Sequence, residues 1–310
     1  MLKKGIIYKS TGIWHLVKSG NIFYKCRIKG KLRLHNSKST SPVVVGDRVS
    51  FILDIENNSQ GIIIEVKKRR NHIIRKSVKL SKQFQVIASN IDQIYLIITL
   101  NYPITFTQFI DRILVTAEAY RIPLILVFNK MDIYSSSEKN EIKKLKNIYE
   151  LIGYKCYKIS ALNKDSVNIV SKSMKNKVNM IIGHSGVGKS TLINTISPNL
   201  MIKTSNISDL HKQGQHTTTY SEMFDLSDKI KIIDTPGIKG FGLVDMDSNE
   251  IKNYFPEFKN LNGNCKYNNC LHLNEPNCAV INALNLNKIS ESRYKSYLNL
   301  IDENSTYRIK

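Results

Sequence analysis

The chain has 310 residues, too many for one small domain and suited to two or three. Lysine and arginine number 46 against 25 acidic residues, a formal net charge of +21. That excess argues against an ordinary metabolic enzyme and for a polyanionic partner, over the blander alternative of a general bias toward Lys, Ile and Asn. The N-terminal stretch "MLKKGIIYKSTG" lacks the apolar core of a signal peptide. The most apolar run, "IYLIITL", is too short to cross a bilayer. The expectation is a cytoplasmic protein with no membrane partner.

Residues 1–75 alternate imperfectly between apolar and polar and are broken by Gly5, Gly12, Gly20 and Gly30. Several short strands separated by turns predict a small β barrel. "VVGDRVSF" followed by the glycine-led strand "GIIIEVKK" resembles the OB fold, which often binds RNA. A barrel with a purely structural role is the alternative. Residues 67–82, "KKRRNHIIRKSVKLSK", hold eight basic residues and no acid. They read as a linker whose charges contact phosphates, against a merely solvated linker.

From about residue 90 the texture becomes α/β. "IDQIYLIITL", "PLILVFNKMD", "YKCYKIS", "VNMIIGHSG" and "KIKIIDTPG" are buried strands. "TQFIDRILVTAEAYRI" and "SSEKNEIKKLKNIYELIG" are helices, the second with a serine cap. Apolar strands alternating with helices predict a mostly parallel sheet covered on both faces. This unit is assigned residues 76–245. Residues 246–310 form a short, Asn-rich, Cys/His-bearing tail with a helix near 288–302, too short and polar for a large core.

Residues Gly183, His184, Ser185, Gly186, Val187, Gly188, Lys189 and Ser190 fit GxxxxGK[ST], with Thr191 opening a helix. Glycines let backbone N–H groups reach phosphates, and the helix N-terminus adds its positive end. Lys189 is expected on the β and γ phosphates, and Ser190 on Mg²⁺. Asp234-Thr235-Pro236-Gly237 ends another buried strand. Asp234 is expected to act on Mg²⁺, and the Gly237 amide to sense the γ phosphate. Asn129-Lys130-Met131-Asp132 is an NKxD pattern. Its carboxylate accepts two N–H bonds from guanine that adenine cannot supply. Ser160-Ala161 matches the supporting element whose backbone amide meets the guanine oxygen. Together these predict GTP over ATP. In the usual order the phosphate loop comes first, whereas here NKxD and Ser-Ala precede it. All lie where loops leave buried strands, so all can line one sheet edge. The order predicts a circularly permuted GTPase domain with its site intact.

"HKQGQHTTTYSEMF", residues 211–224, supplies the switch threonine, with Thr217, Thr218 and Thr219 all candidates and Thr218 or Thr219 preferred. The glutamine that often follows DxxG is replaced by Ile238, which cannot orient water. His216 is the candidate for that role, against an exposed loop histidine. Lys189 and His216 are thus the expected catalytic residues. In the tail, Cys265-x4-Cys270-x-His272-x5-Cys278 offers three thiolates and an imidazole, the ligand set of a closed structural Zn²⁺ site with one ion per chain. Reduced loop cysteines are the alternative.

Taken in order, the leading barrel, "FNKMD", "SAL", "GHSGVGKST", "GQHTTT", "DTPG" and "CKYNNCLHLNEPNC" resemble the ribosome-small-subunit-dependent GTPases, the RsgA (YjeQ) family, over nearly the whole chain. Relatives usually read "GQSGVGKS", so His184 is a departure of little expected consequence. The resemblance implies an N-terminal OB fold on ribosomal RNA and a C-terminal zinc domain. It also implies GTP hydrolysis to GDP and phosphate, stimulated by the small ribosomal subunit late in its maturation. The histidine of "GQHTTT", here His216, is the family's proposed catalytic residue. A monomer is expected. The competing classes are an RNA-binding checkpoint whose GTP only sets affinity, a trafficking GTPase, for which no lipidation motif speaks, and a metabolic P-loop kinase, against which NKxD and DTPG argue.

Overall fold

A computed structural model describes residues 1–30, 42–55, 57–76, 84–198, 221–227, 229–234, 248–261 and 263–307. The chain opens with strands β1 (Leu2–Thr11), β2 (Trp14–Ser19), β3 (Ile22–Ile28), β4 (Arg48–Leu53) and β5 (Gln60–Val66). β1 pairs with both β2 and β4, β3 runs parallel to β5, and β4 pairs antiparallel with β5. The ring closes in the order β1-β2-β3-β5-β4, the small barrel that the glycine-broken pattern predicted, in the OB-like form that "VVGDRVSF" resembled. Tyr24, Cys26 and Ile28 of β3 point inward while Phe23, Lys25 and Arg27 point out. This period of two fills the barrel with Ile7, Val17, Cys26, Phe51 and Ile63.

As far as Lys76 the basic stretch is not a free linker. β6 (His72–Lys76) pairs with β7 (Phe84–Ser89) as a hairpin, and Val45 bridges Ala88. Gly46 has φ +89°, and a Cβ there would lie 2.0 Å from the Ser89 carbonyl oxygen, so only glycine permits this approach. Asp47, wholly buried, accepts from Arg69 Nε at 2.7 Å, Arg69 Nη2 at 2.8 Å and Ser89 Oγ at 2.7 Å. Arg70 Nη2 donates to Asp92 at 2.6 Å. Two of the arginines expected on phosphates therefore serve as internal ties.

The next unit comprises β8 (Gln93–Ile98), α1 (Thr107–Ala119), β9 (Leu124–Phe128), α2 (Ser136–Leu151), β10 (Lys155–Lys158), α3 (Lys164–Met174), β11 (Lys177–Ile182), α4 (Lys189–Ile196), β12 (Glu222–Ser227) and β13 (Ile230–Asp234). Strand order is β10-β9-β8-β11-β13-β12, parallel except for β12. Every residue of β8 and β9 is buried, as continuous apolar strands require when both faces are covered. Ile94, Leu96 and Ile98 face α1 and α2, whereas Tyr95 and Ile97 face α3 and α4. The serine cap of α2 is a full capping box between Ser135 and Glu138. β1 continues this sheet through the pair Lys9↔Glu222, so barrel and α/β unit share one run of backbone pairing.

The tail contains α5 (Ser248–Ile251), a 3-10 turn (Lys252–Tyr254), α6 (Pro256–Lys259), α7 (Ala279–Asn285) and α8 (Glu291–Tyr307). It is less polar inside than its composition suggested. Phe255 and Phe258 stack and Tyr297 meets both edge-on, all centroids within 5.3 Å of one another, and Val115 of α1 completes their core. Beside it Arg293, 1 % exposed, binds Asp111 of α1 at 2.7 Å and Glu257 of α6 at 2.8 and 3.2 Å. No described helix is long and apolar enough to cross a membrane.

Candidate nucleotide site and metal centre

Because β8, β9, β10, β11 and β13 run parallel, the loops that leave them emerge on one edge. Asn129 follows β9, Ser160 follows β10, Gly183 follows β11, and Asp234 ends β13. One buried side chain binds three of these loops. Asn129 Nδ2 donates to the Val187 carbonyl at 2.8 Å, and Asn129 Oδ1 accepts from the Ala161 amide at 2.9 Å. Its own amide donates to the Ile98 carbonyl at 2.8 Å. Gly188 has φ +98°, and a Cβ there would lie 2.3 Å from Asn129 Nδ2. The glycine is required both by its left-handed backbone and by this crossing. Thr195 Oγ1 donates to the Ala161 carbonyl at 2.7 Å, and the Met131 amide to the Ile159 carbonyl at 3.1 Å. Motifs remote in sequence thus form one continuous rim.

Lys189, at the first position of α4, donates from Nζ to the Gly183 carbonyl at 2.8 Å and the His184 carbonyl at 2.6 Å. Burial lowers its pKa, and the Asp234 carboxylate pulls the other way. A phosphate beside this ammonium would restore its preference for the charged form. Ser190 and Thr191 follow in the same first turn, half-buried, while Ser185 and Gly186 are exposed on the loop crest. His184 lies against Phe109 of α1, ring centroids 4.0 Å apart and planes tilted by 32°. Burial, then Lys189, lowers its pKa. Lys130 takes φ +64° and donates from Nζ to the Tyr102 carbonyl. Asp132 is exposed at the end of that loop. His216, Thr217, Thr218, Thr219, Gly237 and Ile238 lie outside the described residues.

The ligand atoms of Cys265, Cys270, His272 and Cys278 all lie within 4.8 Å of one another. His272 Nδ1 is 3.6, 3.4 and 3.3 Å from the Sγ atoms of Cys265, Cys270 and Cys278, and Cys265 Sγ is 4.0 Å from Cys278 Sγ. A tetrahedral ion with ordinary thiolate and imidazole bond lengths sets S···N near ~3.5 Å and S···S near ~3.8 Å. The four donors therefore fit a closed four-coordinate ion. The Ala279 amide donates to Cys265 Sγ at 3.4 Å, as it would to a ligating thiolate. Burial pushes the Cys270 thiol up to about 12, a cost that a bound cation offsets. The Tyr294 hydroxyl donates to the His272 carbonyl at 2.7 Å, and Phe258 meets the imidazole edge-on at 5.7 Å. The aromatic core thus orients the ligands.

The RsgA GTPase model matches residues 66–244, and the RsgA N-terminal domain model matches residues 4–63. The chain belongs to the RsgA GTPase family. It is 56% identical over 310 residues to the small ribosomal subunit biogenesis GTPase RsgA of Christiangramia forsetii, covering 99% of this chain and 98% of that one. The protein of the same name from Flavobacterium psychrophilum is 54% identical over 309 residues, covering 98% and 94%. Among solved structures, YjeQ from Thermotoga maritima aligns with a TM-score of 0.80 at 30% identity, covering 98% of each chain. YloQ, described as a circularly permuted GTPase, aligns with a TM-score of 0.76 at 26% identity, covering 99% and 96%. The permuted motif order is thus an architecture shared within the RsgA family.

Two features of this RsgA chain were not visible as motifs. The segment Thr99–Phe106, between β8 and α1, and Phe109 at the start of α1 touch the NKxD loop and the phosphate loop; "NYPITF" after a buried strand was the only signal. The Arg293–Asp111–Glu257 cluster joins residues from three separate helices, and no local spacing announces it.

Proposed function

We propose that this chain binds GTP on the rim gathered by Asn129 and hydrolyses it in the service of small-ribosomal-subunit biogenesis. The observation that carries the reading is the Asn129 side chain, which ties the NKxD, Ser-Ala and phosphate loops into one site despite their order. Family membership supplies the activity class: the chain is a GTP-hydrolysing enzyme. Asp132 reads the guanine edge, with Ser160 and Ala161 supporting it and Lys130 and Met131 completing the loop. Residues Gly183 to Thr191 cradle the phosphates. Ser190, Asp234 and Thr218 or Thr219 would hold Mg²⁺, which would neutralise the charge of the phosphates. Gly237 contacts the γ phosphate. His216 positions a water whose oxygen forms the new bond to the γ phosphorus. The bond to the β–γ bridging oxygen breaks, and GDP and phosphate leave. Lys189 steadies the charge that builds on that oxygen.

The Cys₃His cluster holds one structural Zn²⁺, a choice that the thiolate-rich closed donor set supports. The division at about residues 75 and 245 separates an RNA-binding barrel, the GTPase unit and the zinc domain. The barrel contacts ribosomal RNA with its outer face. Trp14 there carries Lys25 Nζ 4.5 Å and the Arg27 guanidinium 4.1 Å from its ring centroid, an aromatic and basic combination suited to bases and phosphates. The protein works as a cytoplasmic monomer on the small subunit. The test is GTP hydrolysis by the purified protein alone, with small subunits, and with large subunits as control. Acceleration only by small subunits is expected. Equal rates in all three would refute the ribosome-coupled reading while leaving the nucleotide site to be judged by GDP binding.

A further inference from the structure

The segment Thr99–Phe106 has no part in any recognised motif, yet it is tied to itself and to both of its neighbours on the nucleotide rim. Thr99, 1 % exposed, donates from Oγ1 to the Pro103 carbonyl at 2.6 Å. Its amide donates to Thr105 Oγ1 at 3.2 Å, and the Thr105 amide returns to the Thr99 carbonyl at 3.0 Å. Those three bonds close the loop on itself. On one side it is moored to the start of α2, through the Leu100 amide to Tyr134 Oη at 2.9 Å and Asn101 Nδ2 to Glu138 Oε1 at 2.7 Å. On the other it abuts the phosphate loop, where Pro103 Cδ lies 3.5 Å from the position of a Cβ on Gly186. Between the two moorings the Tyr102 carbonyl receives the Lys130 ammonium.

A lysine stem that covers a base must give up rotamer freedom when the base arrives. If its ammonium is already held, that loss has been met in the empty protein and is not charged against binding. The backbone aim is fixed too, because Lys130 stands at φ +64° in the left-handed region. We propose that the loop Thr99–Thr105 is a positioning element for guanine recognition, in which Thr99 fixes the Tyr102–Pro103 backbone, the Tyr102 carbonyl holds Lys130 Nζ, and the Lys130 stem is thereby set over the plane of the base. Thr99 and Tyr102 act through Lys130 and touch no nucleotide themselves. The inference rests on the nucleotide-site reading above.

The experiment measures GDP and IDP dissociation constants for the full chain and for Thr99→Val, Thr99→Ser, Lys130→Met and the Thr99→Val/Lys130→Met double variant, with thermal midpoints of the nucleotide-free proteins. Failure of the unaltered chain to bind GDP overturns the site reading itself. Given binding, Thr99→Val and Lys130→Met each weaken GDP roughly three- to tenfold, the range for one lost hydrogen bond. The double variant is no weaker than the worse single one, since both break the same linkage. Thr99→Ser keeps the hydroxyl and binds like the unaltered chain. The GDP-to-IDP ratio stays constant, because the stem covers the face of the ring and not the edge at which the two bases differ. Additive losses, a changed ratio, or a lowered midpoint in Thr99→Val with unchanged affinity would each overturn the assignment.

Discussion

Arg293→Met tests the joint between the Cys/His tail and α1. In the folded protein the guanidinium is 1 % exposed and satisfies two carboxylates, Asp111 at 0% and Glu257 at 6% side-chain exposure. Burial alone would lower the Arg293 pKa; Asp111 and Glu257 outweigh it and hold the group charged. Methionine matches the stem but takes the guanidinium from Asp111, which keeps the Tyr149 hydroxyl at 2.9 Å, and leaves Glu257 without its bidentate arm. Breaking a buried pair by removing one member costs about 3–5 kcal/mol. Urea unfolding followed by tryptophan-independent far-ultraviolet dichroism at pH 7.5 checks this value. The pH dependence carries a second signature. Burial already raises the Asp111 pKa, and the Arg293 charge leads what opposes it, ahead of hydrogen bonds from Ser296 and Tyr149. Without that charge the folded-state pKa rises further above the unfolded value, so the native state binds the extra proton. Stability of the variant therefore falls as pH rises through the window above the unfolded carboxylate pKa, and acidification from pH 7.5 toward 5 recovers part of the loss. Adding Asp111→Asn also recovers part, by removing the stranded charge. A loss below about 1 kcal/mol, or strictly additive effects of the two substitutions, would refute the reasoning.

Asp132→Asn is expected to shift preference from GTP toward XTP, because it exchanges the acceptor pair on the base edge; unchanged GTP affinity in a competition titration would count against the assignment. His216→Ala is expected to retain GTP binding and to lose most subunit-stimulated hydrolysis. A stimulated rate equal to that of the unaltered chain moves the water-positioning role elsewhere. Elemental analysis is expected to find about one zinc per chain, and replacement of Cys265 or Cys278 by serine to abolish it and to loosen the tail, seen as faster amide exchange around Phe258 and Tyr297. Retained metal in both variants would exclude the four-ligand reading.

Legibility followed the range over which each physical constraint acts. The phosphate loop, NKxD and the Cys₃His set are short because one ligand must be met by neighbouring backbone or side chains, so they could be read directly. The barrel could be read from period-two alternation in β3 and from glycines where strands turn. Long-range polar ties could not. Asp47 looked like part of "VVGDRV", and Arg69 like a charge for RNA, until folding placed one inside the reach of the other. The tail was underestimated for the same reason. Its core depends on Phe255, Phe258 and Tyr297, spread along a polar sequence, and on Val115 borrowed from α1. Composition averages over such residues, whereas packing selects them.

The permuted order has a structural consequence of its own. In this connectivity β12 follows Thr217, Thr218 and Thr219 in sequence, and it is β12 that meets the barrel. The Lys9↔Glu222 pair joins their backbones, Lys9 Nζ binds Glu222 at 2.7 Å, and Asp225 accepts from the Tyr8 hydroxyl at 2.7 Å and from Lys18. β13, next to β12, ends at Asp234, from which the chain runs through DTPG to the tail. The tail packs back on α1, whose Phe109 lies against His184 in the phosphate loop and whose Asp111 binds Arg293. Each appended domain is therefore bonded to an element that borders the nucleotide rim, and neither hangs from a free terminus of the GTPase unit. A conventional order would open the chain at the phosphate-loop strand and leave both switch strands internal. Opening it before β8 instead makes β13, the strand that leads into DxxG, the last strand in chain order, so that the sequence leaving the site is itself the connection to the Cys/His tail.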